Sequence, residues 1–151
     1  MNEVNITEQV NLDEIKPIET ISIDLKKHDK KEVLLERADV LKVKSNYSKT
    51  GFQWVLKISS EVVETLGEND DKVEFRATEL FNLIQDENGN LTGFPTGNST
   101  NLYKFAKDIG VDINVKHLGE FIVSIHGKKA LIKAYEKESE GKTKTYLKFR
   151  Y

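Results

Sequence analysis

The chain has 151 residues, 38% of them hydrophobic, no cysteine and a net charge of -2. One core held by burial and hydrogen bonding is therefore expected, and disulfides, thiolate catalysis and cysteine-ligated metals are excluded. No apolar run approaches the ~20 residues of a membrane-spanning helix and the start MNEVNITEQV lacks a basic-then-apolar layout, so a soluble, cytoplasmic protein without membrane association is expected.

Residues 1–17 are polar and acidic and end at Pro17; they read as a flexible extension ahead of a single domain over residues 18–151. Residues 1–25 carry six acids against Lys16, or -5, which leaves +3 on residues 26–151. Ile21, Ile23 and Leu25 alternate with polar residues and suggest a short extra strand over 18–25, followed by the charged connector KKHDKK. From Val33 to about Lys44 the period is two, with Leu41 and Val43 on one face and Lys42 and Lys44 on the other. The loop 45–51 carries Tyr47 and Lys49 and ends at Gly51, a hairpin signal. In the return strand Phe52, Trp54, Leu56 and Ile58 share a parity, so Trp54 is expected to pack on the core rather than serve as a stacking platform, and Lys57 takes the other face.

Residues 72–77 read as a third strand with Val73, Phe75 and Ala77 inward and Glu74 and Arg76 outward. TELFNLI, residues 78–84, reads as a short helix or irregular crossing capped by Thr78, and DENGN at 86–90 contains an Asn-Gly turn pair. Ser99 is expected to cap a helix running to about Ile109, with Leu102, Phe105, Ala106 and Ile109 along one stripe and Gly110 as its stop. The run FIVSI, residues 121–125, suits a strand or a short buried helix. Residues 130–137 and 143–151 then form a closing hairpin. Ala130, Ile132, Ala134, Leu147 and Phe149 point inward; Lys133, Tyr135, Lys137, Lys144, Tyr146 and Lys148 point outward, with Lys142 at the tip. Cations in this arrangement would track a phosphate backbone and the tyrosines would stack on bases. The same lysines would equally guard an exposed sheet edge against pairing.

Three strands, a helix, then two strands is the order of an OB-fold, a five-stranded partly open barrel. Over residues 33–151 the chain resembles OB-fold proteins of the single-stranded-DNA-binding type, and is similar to the small phage and archaeal replication-associated members. The resemblance is carried by NSTNLYKFAKDIGV, GKKALIKAYEK and TYLKFRY, with TELFNLI as an insertion and the acidity at the N-terminus. The expected fold is mainly β with one or two helices, an OB-like barrel with its helix between strands three and four. The resemblance implies binding in a groove of strands two and three and the loops joining strands one to two and four to five. Mapped here, that groove takes Tyr47, Lys49, Lys57, Arg76, Lys137, Lys142, Lys144 and Tyr146. Lys42, Lys44, Lys133, Tyr135 and Lys148 join them on charge and parity.

His28, His117 and His126 fall in no catalytic spacing, and HExxH and nucleophile-elbow motifs are absent. The expectation is a non-enzymatic module without metal or cofactor that binds single-stranded nucleic acid, DNA favoured over RNA. The alternative is a protein-interaction, viral assembly or regulatory module on the same scaffold. The acidic N-terminus is expected either to compete for the basic groove or to recruit a basic protein partner.

Overall fold

Long runs of β-branched and aromatic residues at period two make strands, and here strands make about half of the described residues. The computed structural model describes residues 24–67 and 71–151, with the backbone alone at Ser139. Its strands are β1 Glu32–Lys44, β2 Phe52–Leu66, β3 Val73–Asn82, β4 Ile84–Gln85, β5 Leu91–Gly93, β6 Lys129–Ser139 and β7 Lys142–Arg150. Its helices are α1 Asn101–Asp108 and α2 Leu118–Ile125, both between β5 and β6, and a single 3-10 turn, Leu25–His28, precedes β1.

Five strands form one antiparallel sheet in the order β3-β2-β1-β6-β7, and β4 pairs with β5 alone. No ladder joins β3 to β7 among the described residues, so the sheet is open rather than closed into a barrel. The two end strands nevertheless meet through side chains. The Tyr151 hydroxyl donates to the Glu79 carboxylate, and the Tyr151 ring lies 6.1 Å from Phe81 and 5.5 Å from Phe105. Between the end strands, at the start of both, lies a cleft of about 570 Å³ lined in part by Leu66, Phe75, Thr143 and Leu147.

The inner face gathers Val33, Leu35, Leu56, Ile58, Ala77, Phe81, Ala130, Ile132, Leu147 and Phe149 into one core with the helices. Helix α1 presents Leu102, Phe105 and Ala106, all buried, and Phe105 packs against Phe81 and Phe149 at 5.3 and 5.1 Å. Its N-cap is Thr100, one residue after the expected Ser99: the Thr100 hydroxyl accepts from the Tyr103 N–H at 3.3 Å. Gly110 ends this segment at φ +75°, a conformation that suits glycine. FIVSI is helical, as part of α2, with Phe121 and Ile125 buried and Val123 exposed.

Two expectations are corrected. TELFNLI is not a helix: β3 runs on to Asn82, pairing Thr78 with Ser59 and Phe81 with Leu56. Ala77 and Phe81 point inward with Glu79 between them, and that carboxylate breaks the apolar alternation that would have marked a strand. The short strand over 18–25 fails at its described end, where Asp24 caps the 3-10 turn and Leu25 begins it. The remainder of that strand, and the acidic extension 1–17, lie outside the described residues. No helix among the described residues is long and apolar enough to cross a membrane.

Candidate nucleic-acid interface

The residues expected to bind fall into three groups, and their charge environments separate them. The first group stands at the β1–β2 turn. One extra residue on β1 between Leu35 and Arg37 shifts the register and resets the parity, so Ala38 and Val40 follow Leu35 onto the inner side. Lys42 and Lys44 continue that side beyond the core, opposite Trp54 and Phe52. The Lys42 ammonium lies 5.5 Å from the ring centres of both Phe52 and Trp54, a cation–π arrangement. Trp54 packs on the core, as expected, and its indole N–H donates to the Gly89 carbonyl at 2.9 Å.

The β4–β5 hairpin holds this loop. The Gln85 amide oxygen accepts from the Trp54 N–H at 2.9 Å, and its nitrogen donates to Phe52 O and Ser48 Oγ at 3.1 and 3.2 Å. Gly89, at φ +82°, sits so close to Thr50 that an added Cβ would meet Thr50 Cγ2 at 3.1 Å. Tyr47 projects fully exposed from the loop, and Lys49 is exposed beside it. Phe52, 42% exposed, was not among the expected binding residues; its shared parity with the core residue Leu56 concealed it.

The second group, Lys57 and Arg76, lies in a shallow depression on the outer side of β1, β2 and β3, with Glu36, Arg37 and Asp39. This surface neutralises itself. Arg76 contacts Glu36 at 3.0 Å and Glu74 at 3.3 Å and donates to the Ser60 carbonyl at 3.1 Å. Glu36 raises the Arg76 pKa above its ordinary value, so the guanidinium stays charged and tied. Lys57 stands directly opposite Asp39, which in turn holds Arg37 at 2.7 Å.

The third group is the outer face of the β6–β7 hairpin. The register pairs Lys133 with Lys148, Tyr135 with Tyr146, and Lys137 with Lys144. The two tyrosines stack at 5.5 Å with planes 29° apart, and the Lys148 ammonium sits 5.0 Å from the centre of the Tyr135 ring. Among the described residues none of these four lysines, nor Lys142, forms a salt bridge. Like charges directly opposite each other destabilise a hairpin, whereas an aromatic pair supports it by roughly 0.2–1 kcal/mol. This ladder of rungs therefore carries two like-charge pairs without a salt bridge among the described residues; the Lys133–Lys148 pair feels the Glu79 carboxylate nearby, whereas Lys137 and Lys144 have no carboxylate within salt-bridge distance among the described residues.

Other ionisable groups are engaged structurally. His28 Nε2 lies 2.7 Å from Glu64, and His117 Nδ1 accepts from the Glu120 N–H at 3.3 Å to cap α2. Asp86 accepts from the Asn90 and then the Asn88 N–H group, at 2.9 Å each, which lowers its pKa and fixes the β4–β5 turn. Among the described residues no three His, Asp or Glu side chains converge as a metal site would require. No protein-family model matches the chain, and comparison with curated proteins finds no match.

Proposed function

We propose that the protein is a non-enzymatic nucleic-acid-binding module that takes single-stranded DNA on the basic, aromatic surface of an OB-like barrel. The strand order β3-β2-β1-β6-β7 supports the scaffold, since an OB barrel brings its third and last strands side by side. The side-chain contact of Tyr151 with Glu79 and Phe81, between β7 and β3, supports the same reading. The observation that carries the function is the ladder on β6 and β7, where two lysine pairs without a salt bridge among the described residues flank one stacked tyrosine pair. Phosphates would relieve the repulsion and an unstacked base would extend the stack. A duplex keeps its bases within its own stack, so the tyrosines favour single strands.

The test is fluorescence anisotropy of a labelled oligothymidine of about 20 nucleotides at two salt concentrations, with a duplex control. If each of the two lysine rungs neutralises one phosphate, the slope of log K against log salt is about -0.7 per phosphate, or roughly -1.4. Affinity should then fall roughly 7-fold between about 50 and 200 mM salt. Absence of salt-sensitive binding at low salt would overturn the reading. A protein-interaction module is the second reading, favoured by Val123. That residue is 76% exposed on α2, beside a depression lined by Ala38, Ile122 and Ile125. Its signature would be binding of a protein partner that rising salt leaves intact.

A further inference from the structure

We propose that the single strand runs lengthwise along the β6–β7 hairpin, with one base on the Tyr135–Tyr146 pair and its flanking phosphates at the lysine rungs above and below. This inference rests on the nucleic-acid reading and adds the path of the ligand.

Spacing is the first argument. Successive outward rungs are two residues apart, which in an antiparallel strand is about 6.8 Å. Stacking holds a duplex strand to about 3.4 Å per nucleotide, and an extended, unstacked strand reaches roughly twice that rise. The Lys137–Lys144 and Lys133–Lys148 pairs stand one rung to either side of the tyrosines. Each phosphate next to a base held on the tyrosines thus meets a pair of ammonium groups.

Charge is the second argument. A strand leaving the hairpin to cross the outer side of β1, β2 and β3 meets the carboxylates of Glu36, Asp39 and Glu74, and the cations there are already paired or faced by acid. Along the hairpin the same outward parity continues from Lys142 at the tip to Arg150 opposite Leu131.

Lys148 rests over the Tyr135 ring. A base arriving on that ring displaces the ammonium, and the phosphate beside the base receives it. Lys148 therefore holds the ring face in the free protein and becomes a phosphate contact in the complex.

The experiment measures binding of oligothymidines of about 3, 5, 8 and 12 nucleotides to the full chain and to variants whose melting temperatures match the wild type. Affinity should reach its plateau by about 5 nucleotides. Tyr135→Ala and Tyr146→Ala should each weaken binding roughly ten- to a hundred-fold, and Tyr146→Phe, which keeps the stack, should retain it. Lys137→Ala combined with Lys144→Ala should reduce the salt slope by about 0.7, the share of the one phosphate held at that rung, and Lys49→Ala combined with Lys57→Ala should leave it unchanged. If the wild type binds but the slope responds to Lys49 and Lys57 instead of the rung lysines, the path is overturned and the nucleic-acid reading stands. If the wild type binds no oligonucleotide at low salt, both fall.

Discussion

The His28 Nε2 and Glu64 Oε2 atoms lie 2.7 Å apart and join the 3-10 turn to the far end of β2. Lys27 reaches the same carboxylate at 2.8 Å. These contacts pin the turn over the end of the sheet, where Leu25 and His28 are buried. Lys27 and then His28 hold the Glu64 carboxyl below its ordinary pKa of 4.5. A depressed carboxyl contributes stability that is present above the unfolded value and is lost as pH falls through the folded one. Glu64→Gln is thus expected to lower the melting temperature by a few degrees at neutral pH. Its difference from wild type should shrink as pH drops below 4.5. A difference that persisted unchanged into acid would show that shape, not charge, holds the turn.

Glu79 has the opposite sign. It sits partly buried between β3 and β7, and desolvation raises its pKa above 4.5 despite the Tyr151 hydroxyl and the nearby Lys148 and Lys133. The same burial, with Glu79 beside it, pushes the Tyr151 phenol up. A raised carboxyl contributes stability that is complete below the unfolded pKa and is lost as pH rises through the folded one. Glu79→Gln keeps an oxygen for the Tyr151 hydroxyl and removes the charge. The expected gain at pH 7 is about 0.5 kcal/mol after allowance for solvent screening, a rise of about 1–2 °C in melting temperature. The gain should vanish near pH 4, and a loss of stability at pH 7 would contradict it.

The turn between β6 and β7 offers a backbone test. Glu140 and Gly141 have φ of +53° and +75°, the left-handed pair of a two-residue hairpin turn that prefers Asn-Gly. Glutamate is a poor occupant of that region and asparagine a better one. Glu140→Asn is expected to raise stability by about 0.5–1 kcal/mol, read by thermal denaturation, and an unchanged or lower melting temperature would count against the turn geometry.

These residues also show what a sequence can disclose. The β6–β7 parity was legible because both strands alternate strictly, with cations and tyrosines against Ala130, Ile132, Leu147 and Phe149. The stripe of Leu102, Phe105 and Ala106 marked α1 for the same reason. The facing of Lys42 and Lys44 was hidden by one inserted residue after Leu35, because a bulge reverses every later side chain without leaving a compositional trace. The end of β3 was hidden by the inward Glu79. Arg76 read as a free cation although Glu74 shares its outward parity two residues away; its other partner, Glu36, reaches it from β1 through pairing and bulges that periodicity does not encode.

Reversing one rung separates a binding role from a merely protective one. Lys137 and Lys144 are directly opposed on the exposed face, and the described chain supplies neither with a carboxylate. Lys137→Glu would set opposite charges across the strands, and such a pair contributes roughly 0.2–1 kcal/mol where like charges oppose folding. The expected result is a melting temperature higher by about 1–3 °C. If the lysines exist only to keep an edge hairpin from pairing, the variant is more stable and loses nothing. If they hold phosphates, the same substitution removes one cation and adds a repelling anion, and oligothymidine affinity should drop at least tenfold at low salt. A gain in stability coupled to loss of binding would mean that the repulsion in this hairpin is kept for its ligand. A drop in melting temperature would show that the two lysines are not in conflict in the folded protein.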